Sequence, residues 1–195
     1  LGKILSKYIQ NGDTLLDVGT GELTTLTLVL NKIDSKLSEV LAFDISWSRL
    51  NKGRNFYVNN TEKKLGLSLN LFVADIKEIP LHQKCVDVIL SSHALEPNGK
   101  NLSTLLQELF RIAKRKLVLF EPSYELNSIE GKKRMDSLGY IKNVKVEVEK
   151  LGGVVEEIIP IVNNTNPLNP TACYIIEVPS SDSKIEFNKP ILCVP

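Results

Sequence analysis

The chain has 195 residues, 43% of them hydrophobic and 24% charged, the make-up of one ordinary globular domain with ample apolar material for a buried core. Its 24 basic and 23 acidic residues leave a net charge of +1, which gives no electrostatic footprint for nucleic acid or an anionic membrane surface. No apolar run approaches the ~20 residues that a membrane-spanning helix needs.

The N-terminal residues Leu1, Ile4, Leu5 and Tyr8 share helical spacing, and Asn11-Gly12 stops the helix they predict. A first buried strand is expected at 14–18, a helix at 22–33 and a second strand at 40–43. Ser46 is placed to cap a helix running towards Asn59. A third strand follows at 69–74. The fourth, at 86–91, is almost uniformly apolar, as a strand covered on both faces should be. Leu102, Leu105, Leu106, Leu109 and Ile112 mark an amphipathic helix, and 117–120 a fifth strand. The segment 141–151 alternates valines like a strand but runs into Gly152-Gly153, where a helix would end in a left-handed cap, and is read as helix. Two last strands, 154–162 and 172–178, flank an Asn/Pro-rich loop at 163–170. Repeated strand–helix alternation implies a mostly parallel α/β sheet with helices on both faces, whose ligands bind at the carboxyl ends of the strands.

Cys85, Cys173 and Cys193 are odd in number and lack CxxC spacing, so neither a disulfide framework nor a metal site is expected, and the compartment reads as reducing and cytoplasmic. The basic run Lys132-Lys133-Arg134 reads as a solvated helix face. Residues 1–180 are expected to form one domain. Because the sequence opens at Leu1 and stops at Cys193-Val194-Pro195, an N-terminal piece is expected to precede it, and 181–195 reads as a frayed tail or the start of a further small module such as a zinc ribbon.

The residues just after the first strand carry the strongest signal. Leu15-Leu16-Asp17-Val18-Gly19-Thr20-Gly21-Glu22 has two glycines one residue apart, which let the backbone turn tightly and approach a ligand closely. A dinucleotide fingerprint would need a third glycine where Thr24 stands. An acid, Asp17, instead precedes the first glycine by two residues. An ordinary strand–turn–helix junction is the plain alternative.

This stretch resembles motif I of the class I S-adenosylmethionine-dependent methyltransferases, an acid followed by GxGxG, with Leu23 standing where the last glycine often falls. The resemblance covers about Leu15 to Val178. It implies a Rossmann-like, seven-stranded, mostly parallel sheet closed by a C-terminal antiparallel hairpin, with S-adenosylmethionine as cofactor. Asp17, Gly19, Thr20 and Gly21 would then wrap the methionine part, whose ammonium and sulfonium suit carbonyls and a carboxylate. Asp44 would take the ribose hydroxyls, although a helix-capping aspartate is the plain alternative. Asp75 would accept from the adenine amino group and Ile76 would offer its backbone amide. Ile45 is placed to cover an adenine face, a role for which Trp47 competes with simple packing. The third acid favours this family over nicotinamide-dependent oxidoreductases, which lack a regular equivalent of Asp75.

Ser91-Ser92-His93-Ala94-Leu95-Glu96-Pro97 resembles the family's Ser-His-x-Leu-Glu stretch beside the transferring methyl, with Pro97 where a histidine usually completes it. Ser91 is expected on the cofactor side. His93 is the candidate general base, for an acceptor that needs one. His82 sits in a polar connector. Glu121 and Tyr124 are expected to face the acceptor. The resemblance places acceptor contacts at the N-terminus, in 121–140 and in 163–170. With no basic surface, a small-molecule acceptor is expected rather than nucleic acid or membrane. A catalytically silent nucleoside-binding or partner-activating module is the second reading, a nicotinamide-dependent oxidoreductase the third.

Overall fold

The structure, a computed structural model, describes residues 1–61, 69–162 and 166–179. The 181–195 tail, Cys193 and part of the 163–170 loop lie outside the described residues.

A helical turn α1 (Gly2–Leu5) leads into β1 (Thr14–Val18), α2 (Thr24–Leu30), β2 (Glu39–Asp44), α3 (Trp47–Asn60), β3 (Leu69–Val73) and β4 (Val86–Ser92). A 3-10 segment, Glu96–Asn101, precedes α4 (Leu102–Ile112) and β5 (Ala113–Pro122). Helices α5 (Ile129–Leu138) and α6 (Val144–Lys150) and strands β6 (Val154–Pro160) and β7 (Thr171–Glu177) complete the fold. The seven strands lie in the order β3-β2-β1-β4-β5-β7-β6. The first five are parallel, while β7 runs antiparallel to both β5 and β6. This is the Rossmann-like sheet with a closing antiparallel hairpin that the sequence implied. No helix among the described residues is long and apolar enough to cross a membrane.

Period-two alternation divides the core between the two faces. Leu16, Leu117 and Leu119 pack with Leu105 and Leu109 of α4 and Val148 of α6. Their neighbours Leu15, Val118 and Phe120 pack with Leu5 of α1 and Leu26 of α2 on the other face. The same alternation decides where the polar residues at the strand ends point. Across the first face, buried Glu108 and Arg111 tie α4 to the chain before β4. Arg111 donates to the Ile79 and Leu81 carbonyls, and Glu108 accepts from the Ile79 amide at 2.8 Å.

The boundaries moved where backbone chemistry overrode pattern. Helix α2 starts at Thr24 rather than 22, because Gly21 and Leu23 both hold positive φ. Strand β5 starts at Ala113, so Lys114, Arg115 and Lys116 belong to it, and Lys116 pairs with Glu156 of β6 at 2.5 Å. Segment 144–150 is helical. Val144 and Val148, four apart, are buried while Val146 between them is 47% exposed, so the helical period wins over the alternation. Helix α5 has only Gly131 and Met135 buried. It is fixed by its ends, where the Ser128 hydroxyl accepts from the Gly131 amide at 3.0 Å and Gly139 closes it with φ +66°.

Candidate active site

Three acidic residues sit at the carboxyl ends of three neighbouring strands. Asp17 lies in β1, Asp44 ends β2, and Asp75 lies just beyond β3. The turn between β1 and α2 brings the first two together: the Gly21 amide donates to Asp44 Oδ2 at 2.9 Å, and the Thr20 amide to the Phe43 carbonyl at 2.9 Å. Gly19 and Gly21 hold φ of +65° and +58°, which L side chains rarely adopt. A Cβ on Gly19 would also stand 2.5 Å from the Ala94 Cβ, so this turn is pressed against the loop after β4.

Asp17 is buried, and that burial pushes its carboxyl up to about 7; the Thr20 hydroxyl pulls it down and the Asp44 carboxylate pushes it up again. Asp17 has no ion-pair partner among the described residues, so a positively charged ligand group suits it. Asp44 is also buried; besides Gly21 it accepts from the Ser46 amide at 2.9 Å and from Arg49 Nη1 at 3.4 Å. Ser46 in turn caps α3, as the sequence indicated. Asp75 is exposed, with Oδ1 accepting from the Lys77 amide at 2.9 Å, and Ile76 is half-buried beside it. Ile45 is 71% and Trp47 57% exposed, an apolar rim next to Asp44 of the kind a flat ring could cover.

The fourth and fifth strand ends build a second region. Ser91 is fully buried on the α4 face, and its hydroxyl donates to Glu121 Oε1 at 2.7 Å. The Ala94 and Leu95 amides donate to the same oxygen at 3.2 Å. Glu121 therefore anchors the loop after β4 from beneath. Burial pushes it up to about 7, against the Ser91 hydroxyl, the Leu95 amide and the charge of His93, which pull it down. Its other oxygen, Oε2, is buried with no partner among the described residues.

His93 lies on the opposite side of that loop, with a strained φ of +58° held by its amide's bond to the Phe120 carbonyl at 2.9 Å. Its Nδ1 is 2.8 Å from Glu96 Oε2 and its Nε2 is 3.1 Å from the Thr171 hydroxyl. The bond to Glu96 is the chief cause that holds His93 above its ordinary value, against burial and with help from the charges of Glu121 and Glu96.

His93 opens onto a cavity of about 620 Å³. Its lining mixes apolar side chains (Leu1, Ile4, Phe120, Pro160, Ile161, Val162) with polar ones (Ser92, His93, Asn166, Asn169, Thr171). Leu1 and Ile4 of the N-terminus and Asn166 and Asn169 before β7 thus border one cavity, and the 121–140 stretch contributes nothing to the lining. Glu121 follows Leu117 and Leu119 onto the α4 face, while Phe120 faces the cavity. Tyr124 is bonded to Asp136 at the surface, at 3.0 Å, with Lys132 and Lys142 over its ring. Ser91, by the same alternation, turns inward and Ser92 outward. Sequence reasoning named Glu96 within its motif without giving it a role, and missed Thr171, whose only signal was its place at a strand start. His82 stands apart from the site, and among the described residues no cluster could hold a metal ion.

A family model described as "Methyltransferase domain" matches residues 9–128. No curated protein matches the sequence. Among solved structures, an S-adenosylmethionine-dependent methyltransferase from Methanosarcina mazei is 17% identical with TM-score 0.72, covering 90% of this chain and 97% of that one. Magnesium protoporphyrin IX methyltransferase from Synechocystis, solved with bound S-adenosylhomocysteine, is 14% identical with TM-score 0.67, covering 90% and 78%. Geranyl diphosphate C-methyltransferase from Streptomyces coelicolor, solved with geranyl diphosphate and S-adenosylhomocysteine, is 12% identical with TM-score 0.65, covering 90% and 77%.

Proposed function

The chain belongs to the methyltransferase-domain family, and from that footing we propose that it moves a methyl group from S-adenosylmethionine to a small-molecule acceptor seated in the cavity beside His93. The observation that carries the reading is the convergence of Asp17, Asp44 and the Gly19–Gly21 turn at the carboxyl ends of adjacent strands, pressed at Ala94 against the loop whose His93 lines a ligand-sized cavity. A buried carboxyl raised to about 7 with no cationic partner among the described residues fits a site whose missing charge is the cofactor's ammonium or sulfonium.

The cofactor supplies a methyl group that is already activated. Everything else falls to the chain. The Gly19-Thr20-Gly21 backbone packs against the methionine part with Asp17 beneath it. Asp44 receives the ribose hydroxyls, Asp75 and the Ile76 amide receive the adenine edge, and Ile45 covers a ring face. Ser91 acts from below, through Glu121, by fixing the loop that presents His93. The cavity seats the acceptor for alignment with the methyl, which is most of what such a transfer asks of a protein. Two of the neighbours, by name, act on small molecules, and the near-neutral charge of this chain supports the same kind of acceptor.

S-adenosylmethionine or S-adenosylhomocysteine should raise the melting temperature while NAD does not, as ligand linkage requires. Equal shifts, or none, would remove this reading. Release of labelled methyl into a pool of small molecules would then separate an enzyme from a silent binding module.

A further inference from the structure

Ala94 ties the turn after β1 to the loop after β4. Gly19 holds φ +65°, and a Cβ built on it would stand 2.5 Å from the Ala94 Cβ and 3.6 Å from the Ala94 Cα. The Ala94 methyl therefore fills the place that a Gly19 side chain would take, and neither backbone has room to move towards the other. Ala94 is the sequence neighbour of His93, which lines the cavity. One peptide unit thus separates the turn proposed to hold the methionine part from the cavity wall.

The loop has little slack with which to absorb a push from that side. The His93 amide donates to the Phe120 carbonyl at 2.9 Å, and the Ala94 and Leu95 amides both donate to Glu121 Oε1 at 3.2 Å. The Leu95 side chain is fully buried in the core on the α4 face. The His93 ring is held at both nitrogens, Nδ1 by Glu96 at 2.8 Å and Nε2 by the Thr171 hydroxyl at 3.1 Å. Further along, the Ile141 amide donates to the Glu96 carbonyl at 3.0 Å and the Gly99 amide to the Gly139 carbonyl at 2.9 Å. His93 itself sits at φ +58°, a strain that lasts only while the bonds around it hold. Close-packed contacts transmit strain rather than absorb it, so restraint of the Gly19 turn reaches this loop.

We propose that Ala94 is a positioning residue that couples the two sites: a ligand seated on the Gly19–Gly21 turn locks the loop after β4 and, with it, the His93 side of the cavity. The proposal rests on the reading that this turn holds S-adenosylmethionine, and it goes beyond that reading by joining the turn to the cavity. It asks for no particular acceptor and for no chemistry at His93. The loop has a locked arrangement, the one described above, and a released one, in which residue 93 leaves the left-handed region and the 93–95 amides come off their acceptors. A ligand that restrains the turn favours the locked arrangement. The coupling is reciprocal, so a compound that fixes the His93 side of the cavity tightens cofactor binding by the same factor.

Hydrogen exchange at the backbone amides of residues 93, 94 and 95, with S-adenosylhomocysteine as the probe and no acceptor present, reads the coupling. The pH is set above the titrations of Asp17, Glu121 and the His93 ring, so that binding moves no proton on them. Glu96 and Glu121, the two carboxylates whose charge His93 feels, then stay ionised throughout. Saturating S-adenosylhomocysteine should slow exchange at these amides by about 5-fold or more beyond any slowing at the β7 amides, which report overall stabilisation. It should also shift the NMR signals of the His93 ring, one of two histidines in the chain. Ala94→Gly removes the methyl and leaves every charge in place. It should still bind S-adenosylhomocysteine while the local slowing and the ring shift are lost, and Ala94→Ser, which keeps the Cβ, should retain both. Binding without local slowing in the unaltered protein, or responses of the same size in Ala94→Gly, overturns the proposal and leaves the methyltransferase reading standing. If the glycine variant does not fold, the unaltered protein and Ala94→Ser decide: local slowing in both supports the coupling, and its absence from either overturns it. Failure of the unaltered protein to bind S-adenosylhomocysteine overturns both the coupling and the reading beneath it.

Discussion

Arg49 reaches back from the first turn of α3 to the Asp44 carboxylate, Nη1 to Oδ2 at 3.4 Å, and its guanidinium fills the space a Gly21 side chain would need. The two partners are unequal. Asp44 is buried and holds two backbone amides, whereas the Arg49 side chain is 56% exposed. An exposed ion pair is worth ~0–1 kcal/mol, and a buried amide left without its acceptor costs about 1–3 kcal/mol. Asp44→Ala should therefore destabilise the fold by about 1–3 kcal/mol and weaken cofactor binding. Arg49→Ala should cost less than about 1 kcal/mol and leave that binding as tight or tighter, because it clears the oxygen the ribose is proposed to use. Denaturant melts and calorimetric titration with S-adenosylhomocysteine would measure both. Equal losses from the two substitutions would show that Arg49 is part of the cradle rather than a competitor for it.

The raised Asp17 carboxyl has two consequences with fixed signs. Its value climbs from the ordinary 3.8 to about 7 on folding, so between those values the folded state binds more protons than the unfolded chain. Stability must then fall as pH rises across that window, by an amount on the order of a few kcal/mol, and level off above about 7. Asp17→Asn should remove this slope and make the ligand-free protein more stable at pH 8. A cofactor cation beside Asp17 favours the ionised form, so binding near pH 6.5 should release protons. Titrations in buffers of different ionisation enthalpy would detect the release, and its persistence in Asp17→Asn would assign it elsewhere.

Glu121 contributes a slope of the same sign, from 4.5 to about 7, but for a different reason, since it grips the loop after β4 rather than a ligand. Glu121→Ala leaves the Ser91 hydroxyl and the Ala94 and Leu95 amides without their shared acceptor, and should cost about 1–3 kcal/mol or more. It should also lower turnover, because His93 stands at the start of that loop. Glu121→Gln keeps an accepting oxygen and sheds the charge, so it should be more stable than the unaltered protein at pH 8 and retain the cofactor-induced melting shift. A Glu121→Gln protein no more stable than Glu121→Ala at that pH would disprove the assigned grip.

What the sequence made legible follows the rule that strands buried on both faces write themselves as apolar runs. β1, β2 and β4 were readable that way, and with them the strand ends where Asp17, Asp44 and His93 stand. The β5 start was not, because Lys114, Arg115 and Lys116 look like loop until their ion pairs with Asp87, Asp13 and Glu156 are seen. Helix α5 was not, because Gly131 and Met135 are too few to show a period. At the site, Glu121 and Ser91 looked like ligand residues for their chemistry. A one-residue step along a strand turns a side chain to the other face, so Phe120 and Ser92 took the cavity and their neighbours went underneath. Thr171 and Glu96 escaped because their roles exist only across 78 and 3 residues of sequence, through the two nitrogens of one ring.

Leu23 is where local pattern and backbone disagree most. It stands where the family often has a glycine, and the backbone there is still that of a glycine, with φ +59°, although the side chain is fully buried. An L residue in the left-handed region costs roughly 1–2 kcal/mol, and a buried leucine returns more than that through packing, since truncation to alanine costs about 2–5 kcal/mol. The strain persists because Leu23 fills the core between α2 and the sheet beside Leu26. Inside a helix, glycine is less stable than alanine by about 1 kcal/mol. Here the order should invert: Leu23→Ala loses the packing and keeps the strain, whereas Leu23→Gly loses the packing and sheds the strain. Both should melt below the unaltered protein, with Leu23→Gly at least as stable as Leu23→Ala. Thermal melts of the two variants side by side decide it, and a glycine variant clearly below the alanine one would mean that the left-handed turn is not held at this residue.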